Sequence, residues 1–332
     1  MNRILIIGGY GHVGQKIARR LVAAGQRVTI AGRSASKATD VAARLGCEGT
    51  ALDLARPESW GAALDAADTV ICCLDTSDAA LARAVVERGA RYLDISATDA
   101  VLRRIEGLDP VARQNGALAV LSVGLAPGLT NLLVREARAR CPGARRFRIG
   151  VLLGLGDTHG PAAIGWTLNA LAPLSRGDIR PMRFGEDRHG QPTIPFDFSD
   201  QHSLMRRGYP AVETRLALGS PLVTPLTLRW LAAVASRPRL RRILARVLPF
   251  FRFGSDRTAL VVEAFTYAGT APVCRLTLDG RAEAEITALV AAEAALRLSE
   301  TGETGVRHLD ELLTLDDLRA VLCRHGLRLS EG

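Results

Sequence analysis

Ile4-Leu5-Ile6-Ile7-Gly8-Gly9-Tyr10-Gly11-His12-Val13-Gly14 decides the fold of the first part of the chain. Four apolar residues running into glycine fit a strand buried on both faces, as in a parallel sheet. Gly9 to Gly14 then spells G-x-G-x-x-G, and Gly8, Gly11 and Gly14 also spell G-x-x-G-x-x-G. Glycine allows the tight turn and the close approach of backbone to a pyrophosphate. The helix start that follows offers free N–H groups and a positive dipole end to that anion. The glycine pattern alone is weak, and its context makes it specific. A strand precedes it, a helix from Gln15 to Ala24 follows and stops at Gly25, and a second strand, Arg27 to Ala31, comes roughly 20 residues on.

Working outward, the alternation continues. A helix spans Lys37 to Leu45, and a short strand ends at Asp53-Leu54. A strand runs from Asp68 to Leu74, a helix from Ala79 to Arg88, and further strands from Tyr92 to Ile95 and Leu118 to Val123. Strands alternating with helices at this spacing predict a parallel sheet with right-handed crossovers. From about Leu132 the character changes. Phe147 to Leu153 and Ala259 to Tyr267 look like strands of another sheet, separated by a stretch rich in Pro, Gly and Arg over 156–222. An Ala/Glu-rich helix covers 281–298, and Leu315 to His325 forms a last helix capped by Gly326. The expected fold class is therefore α/β. An N-terminal Rossmann domain with a parallel sheet, 1–130, precedes a C-terminal α+β substrate and dimerisation domain, 131–298, with an inserted helical hairpin at about 222–253.

A chain of 332 residues suits about two domains. With 48% hydrophobic and 23% charged residues it can build real cores, and with 5% aromatics those cores must come from Leu, Val, Ala and Ile. The net charge of +9 is almost all arginine, the only lysines being Lys16 and Lys37. The basic residues are not interleaved with a stacking platform of aromatics, so nucleic acid is not an expected partner. The six cysteines make no C-x-x-C pair, and neither a zinc site nor a disulfide framework is expected. Met1-Asn2-Arg3 leads directly into a strand, with no signal peptide and no run of 18 clean apolar residues, which predicts a cytoplasmic protein.

The end of the second strand selects the coenzyme. An NAD site usually carries Asp or Glu there, bonded to the ribose hydroxyls. Here Ala31-Gly32-Arg33-Ser34 is followed by Lys37, so a guanidinium, a hydroxyl and an ammonium replace the acid. Arg33 can pair with a 2′-phosphate and stack on adenine, and Ser34 can donate to the same phosphate. The expected cofactor is NADP(H), the alternative being a solvated basic turn. Topology adds Asp53-Leu54 and Leu74-Asp75-Thr76 along the adenine and pyrophosphate edges. With Gly124, these residues and the loop Gly9, Tyr10, Gly11, His12, Val13 and Gly14 make up the expected coenzyme site.

Two families fit such a loop. Short-chain dehydrogenases need Tyr-x-x-x-Lys, and none of Tyr10, Tyr92, Tyr209 or Tyr267 has a lysine four residues on. That chemistry is excluded, while a catalytically silent NADP(H)-sensing regulatory protein stays open. The second family rests on several segments together. They are Gly9 to Gly14, Ala31-Gly32-Arg33-Ser34, Leu52-Asp53-Leu54, Asp68 to Leu74, Arg91-Tyr92-Leu93-Asp94-Ile95-Ser96 and Val123-Gly124-Leu125-Ala126-Pro127-Gly128-Leu129. They resemble the saccharopine dehydrogenase (saccharopine reductase-like) family. The tail from Thr304-Gly305-Val306 to Gly326-Leu327 is similar to that family's closing segment, and 156–255 diverges. The resemblance implies an NADP-binding Rossmann domain, a mixed-sheet substrate domain, and a C-terminal segment, 299–332, returning to the first domain. It also implies hydride transfer to or from a C=N bond, or a C=C bond, of a small or lipid-like substrate.

Hydride transfer also needs a proton donor or acceptor. Fold logic puts Asp94, Ser96 and Thr98, with the loop Gly124 to Gly128, near the nicotinamide; the alternative for Asp94 and Ser96 is to cap the next helix. No lysine follows Lys37, so histidine is the candidate in the second domain. His159 in the polar turn Gly156-Asp157-Thr158-His159-Gly160 is the first choice for general acid/base, with Asp157 as its orienter, against the plainer reading of an exposed loop histidine. His189 and His202 are weaker choices.

Residues 222–253 fit no Rossmann role. Leu240, Ile243, Leu244, Val247, Leu248 and Phe251 recur on one helical face, and Arg239, Arg241, Arg242 and Arg246 occupy the rest. Two readings stand: a helical pair packed on its own domain or across a homodimer interface, or an interfacial hairpin lying on anionic membrane at its inner face.

Overall fold

The apolar run at the start of the chain forms β1 (Arg3–Ile7), an interior strand of the first of two sheets in a computed structural model of the protein. The structure describes residues 2–331 except 77, 157–160, 172–177, 186, 188, 221–222, 248–253 and 268. The chain divides into two units, Met1–Leu129 with Ala284–Thr314, and Thr130–Glu283 with Leu315–Gly332.

In the first unit β1 is followed by α1 (His12–Ala23), β2 (Arg27–Gly32), α2 (Ala35–Leu45), β3 (Glu48–Ala51) and α3 (Gly61–Asp65). Then come β4 (Thr69–Cys72), α4 (Ala80–Val86), β5 (Arg91–Asp94), α5 (Asp99–Glu106), α6 (Asp109–Gln114) and β6 (Leu118–Leu121). The second unit opens with α7 (Thr130–Arg140), β7 (Arg146–Gly154), α8 (Pro161–Leu171), β8 (Arg180–Met182) and β9 (Gln191–Pro195). It continues through α9 (Ser199–Arg206), β10 (Ala211–Gly219), α10 (Pro225–Ala235), α11 (Pro238–Val247), β11 (Arg257–Phe265) and β12 (Cys274–Arg281). The chain re-enters the first unit with α12 (Glu283–Arg297), β13 (Gly305–His308) and α13 (Leu309–Leu312), and ends in the second with α14 (Leu315–Arg324) and β14 (Arg328–Glu331).

Among the described residues the first sheet has the order β13-β6-β5-β4-β1-β2-β3, every pair parallel. The order reverses between β1 and β4, the crevice where dinucleotides sit in doubly wound folds. Every residue of β4 and β6 is buried, which is why these strands read as plain apolar runs. The second sheet, β14-β12-β11-β7-β10-β9-β8, is mixed, with β7 and β10 parallel and the other pairs antiparallel. The fold is the expected α/β class with a second, mixed-sheet unit.

The closing segment differs from a simple return over 299–332. The return begins earlier, at Ala284, and Glu285 of α12 pairs with Lys16 and with Arg20 of α1, the latter at 2.9 Å. It also ends earlier. β13 extends the first sheet beside β6, while β14 pairs with β12 in the second. The stretch rich in Pro, Gly and Arg over 156–222 holds α8, β8, β9, α9 and the long β10. No described helix is long and apolar enough to cross a membrane.

Candidate functional site

The glycine loop lies where the strand order reverses. Gly11 is the N-cap of α1, and no side chain caps this helix. Gly14 cannot be replaced without movement, since a Cβ there would lie 2.5 Å from the Gly8 carbonyl oxygen and 2.7 Å from Gly9 Cα. The loop is thus folded down onto its own backbone, and an uncapped helix start faces outward from it. Both are features a pyrophosphate requires.

The basic turn is held in place by Tyr10. Its ring lies against Gly32, where a Cβ would come within 2.3 Å of Tyr10 Cε1, and its hydroxyl accepts the Ser34 N–H at 3.5 Å. Ser34 caps α2 by accepting the Lys37 N–H at 3.4 Å. Arg33 and Lys37 are both exposed, and among the described residues neither pairs with a carboxylate. Two free cations and a capping hydroxyl therefore sit where a ribose-binding acid would otherwise stand, and the donor set suits a 2′-phosphate.

Asp53 and Leu54 have structural partners. Asp53 Oδ1 accepts the Ala55 N–H at 3.1 Å and its carbonyl accepts Trp60 Nε1 at 2.8 Å, while Leu54 packs against the buried core of the unit. Leu74 lies over Gly8 and is 40% exposed. Asp75 ties two loops together, accepting Ser96 Oγ at 2.7 Å and Thr98 Oγ1 at 3.0 Å. Thr76 Oγ1 donates to the Asp78 carbonyl at 2.9 Å.

Asp94, at the carboxyl end of β5, is fully buried. The Tyr92 hydroxyl donates to it at 2.6 Å and the Ser96 N–H at 2.7 Å. Burial pushes its carboxyl up to about 6, against the lowering effect of those two donors. Neither Asp94 nor Ser96 caps α5, whose N-cap is Thr98, so the alternative capping role does not hold. Gly124 is buried beside Thr287 of α12, whose hydroxyl accepts the Leu125 N–H at 3.4 Å. His159 and Asp157 lie outside the described residues. In the second unit His189 is exposed, and His202 Nε2 is 2.5 Å from Asp197 Oδ1.

A buried triplet was not foreseen. Ser122, in the left-handed region at φ 57, places its hydroxyl 2.8 Å from His308 Nδ1, and His308 Nε2 lies 3.1 Å from Glu106 Oε1. Ser122 is fully buried and His308 nearly so, which makes the triplet a clamp joining β13 to β6. Its members lie 16 and 186 residues apart in the chain, and no local spacing announces them.

This geometry defines the first unit as a dinucleotide-binding domain of the dehydrogenase type. Residues 4–120 match the sequence model of the family described as Saccharopine dehydrogenase NADP binding domain, and this part of the chain binds NADP(H). No curated protein matches the sequence. Apo saccharopine dehydrogenase (L-Glu forming) from Saccharomyces cerevisiae is similar in structure, with a TM-score of 0.67 and 14% identity over 100% of this chain and 99% of that one. At that identity the likeness carries the fold alone. A probable dehydrogenase from Thermotoga maritima aligns over 99% of this chain and 98% of its own, with a TM-score of 0.49 and 10% identity.

Proposed function

We propose that the protein is an NADP(H)-dependent oxidoreductase that transfers hydride to or from a C=N, or a C=C, bond of a small or lipid-like substrate. The observation that carries this reading is the exposed Arg33 and Lys37, unpaired with any carboxylate among the described residues, beside the Gly8–Gly14 cradle. The bound coenzyme supplies or takes up the hydride. The chain's own part is to hold it. Backbone at the start of α1 receives the pyrophosphate, Arg33, Ser34 and Lys37 receive the 2′-phosphate, and Tyr10 stiffens the turn that carries them. Asp94 fixes the Ser96 backbone, and Asp75 fixes the Ser96 and Thr98 hydroxyls, so the loop after β5 is held rigid. His159, oriented by Asp157, is the proposed proton donor or acceptor.

NADPH oxidation followed over a panel of imines, keto acid plus amine pairs and enoyl compounds tests this. Turnover of one class is expected, with His159→Ala lowering kcat about a hundredfold or more and leaving the Kd for NADPH unchanged. Tight NADPH binding with no turnover across the panel would instead identify a silent sensor.

A further inference from the structure

Eight of the nine net positive charges of this protein come from one segment. Residues 214–255 hold eight arginines and no Asp or Glu, and the rest of the chain is nearly balanced. Six of the eight, Arg229, Arg237, Arg239, Arg241, Arg242 and Arg246, lie on α10, α11 and the turn between them. Elsewhere arginines are commonly paired, as in Arg3–Asp68 at 2.6 Å, Arg140–Glu331 at 2.6 Å and Arg257–Asp187 at 2.7 Å. None of these six pairs with a carboxylate among the described residues.

The same two helices expose apolar side chains. On α10 Leu228 and Ala235 are buried, while Leu226 is 76% and Trp230 62% exposed. On α11 no residue is buried, and Leu240, Ile243 and Val247 are 37%, 56% and 42% exposed. These three recur at i, i+3 and i+7, so they form one stripe. Arg239, Arg242 and Arg246 each precede a stripe residue by one position, about 100° round the helix, and Arg241 follows Leu240 on the other flank. Arg229 precedes Trp230 in the same way. The two helices pack against α8 and against each other, and this leaves the stripes in solvent.

We propose that the α10–α11 hairpin docks the protein on an anionic lipid bilayer, with Leu226, Trp230, Leu240, Ile243 and Val247 entering the interface and the flanking arginines reaching lipid phosphates. Charge complementarity selects this occupant. A stripe of exposed apolar side chains bordered by long cations is the pattern of a helix lying in the membrane plane. A second copy of the chain is a poor partner. Two-fold pairing of this face would bring six unpaired arginines against six others, with no carboxylate in either segment to meet them. Nucleic acid would answer the arginines and leave the stripe in water. The proposal does not depend on the coenzyme or on the proposed reaction.

The experiment uses the full chain and sucrose-loaded vesicles of phosphatidylcholine, with or without phosphatidylglycerol. The wild type should sediment with the anionic vesicles at low salt, far less with the neutral ones, and release as ionic strength rises past roughly 0.15 M. Trp230→Glu with Ile243→Glu should lower partitioning at least about tenfold. Both side chains are largely exposed, so NADPH binding should persist and report an intact fold. Arg239→Gln with Arg242→Gln and Arg246→Gln should remove the preference for anionic vesicles and keep the apolar stripe. Brominated lipid gives a direct readout, because Trp60 is buried and Trp166 packs on Phe196 and Phe198, leaving Trp230 as the exposed indole to be quenched. The proposal is overturned if the wild type does not sediment at low salt or if the Glu double variant partitions equally. It is also overturned if the double variant dissociates a stable dimer, which would make this face a contact between copies.

Discussion

The two sheets bury their backbones by opposite means. In the first, β4 and β6 are covered on both faces, and Thr69 is the one polar side chain in their eight residues. In the second, four neighbouring strands carry a row of charges across one face. Arg148 on β7 is in register with Glu213 on β10 and Glu263 on β11, and Glu263 is in register with Arg275 on β12. The ion pairs follow that register, at 2.5 Å for Arg148–Glu213, 3.6 Å for Arg148–Glu263 and 2.7 Å for Arg275–Glu263. A sheet closed by apolar packing leaves polar chemistry to its strand ends, where the glycine loop and the basic turn lie. A sheet crossed by ion pairs spends its charged residues on its own cohesion, and their presence there says little about ligands.

The largest expected effect tests whether that row is cohesive. The Glu263 side chain is 7% exposed and answers two arginines. Glu263→Ala would leave Arg148, 13% exposed, with only Glu213, and Arg275 with no carboxylate in the row. Removing one member of a buried array costs about 3–5 kcal/mol. Urea unfolding should show that loss as a lower midpoint with an unchanged slope. A loss under about 1 kcal/mol would mean the row behaves like solvated surface pairs, and the contrast between the sheets would fail.

The same contrast decides what could be read in the chain. β1, β4 and β6 were legible because two-sided burial leaves an uninterrupted apolar run. β10 was not, since Glu213 and Arg215 interrupt its pattern. The structure answers each of them, Glu213 by Arg148 and the buried Arg215 by Thr193 Oγ1 at 2.8 Å. In the candidate site, the glycine turn and the turn carrying Arg33, Ser34 and Lys37 were legible as local features because each is set by local spacing. The tie from Asp75 to Ser96 and Thr98 spans more than 20 residues, and the Ser122–His308–Glu106 clamp joins strands adjacent only in the folded sheet. Asp94 was legible by position and not by state.

Asp94 is a buried acid within the apolar sheet, and it offers the second test. Its carboxyl titrates at about 6 in the folded protein against an ordinary value of 3.8, because burial penalises the anion. The native state therefore holds this proton more tightly than the unfolded chain does. The resulting stabilisation is full below 3.8 and is lost as pH rises to about 6, which costs up to about 3 kcal/mol above that range. Asp94→Asn carries no such cost and can still bond Tyr92. It should melt above the wild type near pH 8, with the gap narrowing as pH falls through 6 towards 4. A gap of constant size over that range would show that Asp94 stays ionised and that Tyr92 and Ser96 fully offset its burial.

The smallest effect falls on the strand ends, where charge is free to meet a ligand. Arg33 is exposed and among the described residues has no carboxylate to lose, so Arg33→Asp should leave the melting temperature within about 1 °C of the wild type. Its cost should appear only in coenzyme binding. A lost charge-assisted contact, with an anion now facing the 2′-phosphate, should weaken NADPH by about 1.5–3 kcal/mol, roughly ten- to a hundredfold. Exposure of the turn admits counter-ions, so the penalty should shrink as salt is raised. NADH has no 2′-phosphate and offers the new carboxylate two ribose hydroxyls, so its affinity should hold or improve. Titration of wild type and variant with both coenzymes by fluorescence checks each limb. A variant that weakens NADPH and NADH alike would show that Arg33 holds the adenine face and not the phosphate. A wild type that prefers NADH would overturn the assignment of the turn, and Arg33 and Lys37 would then be ordinary solvated charges.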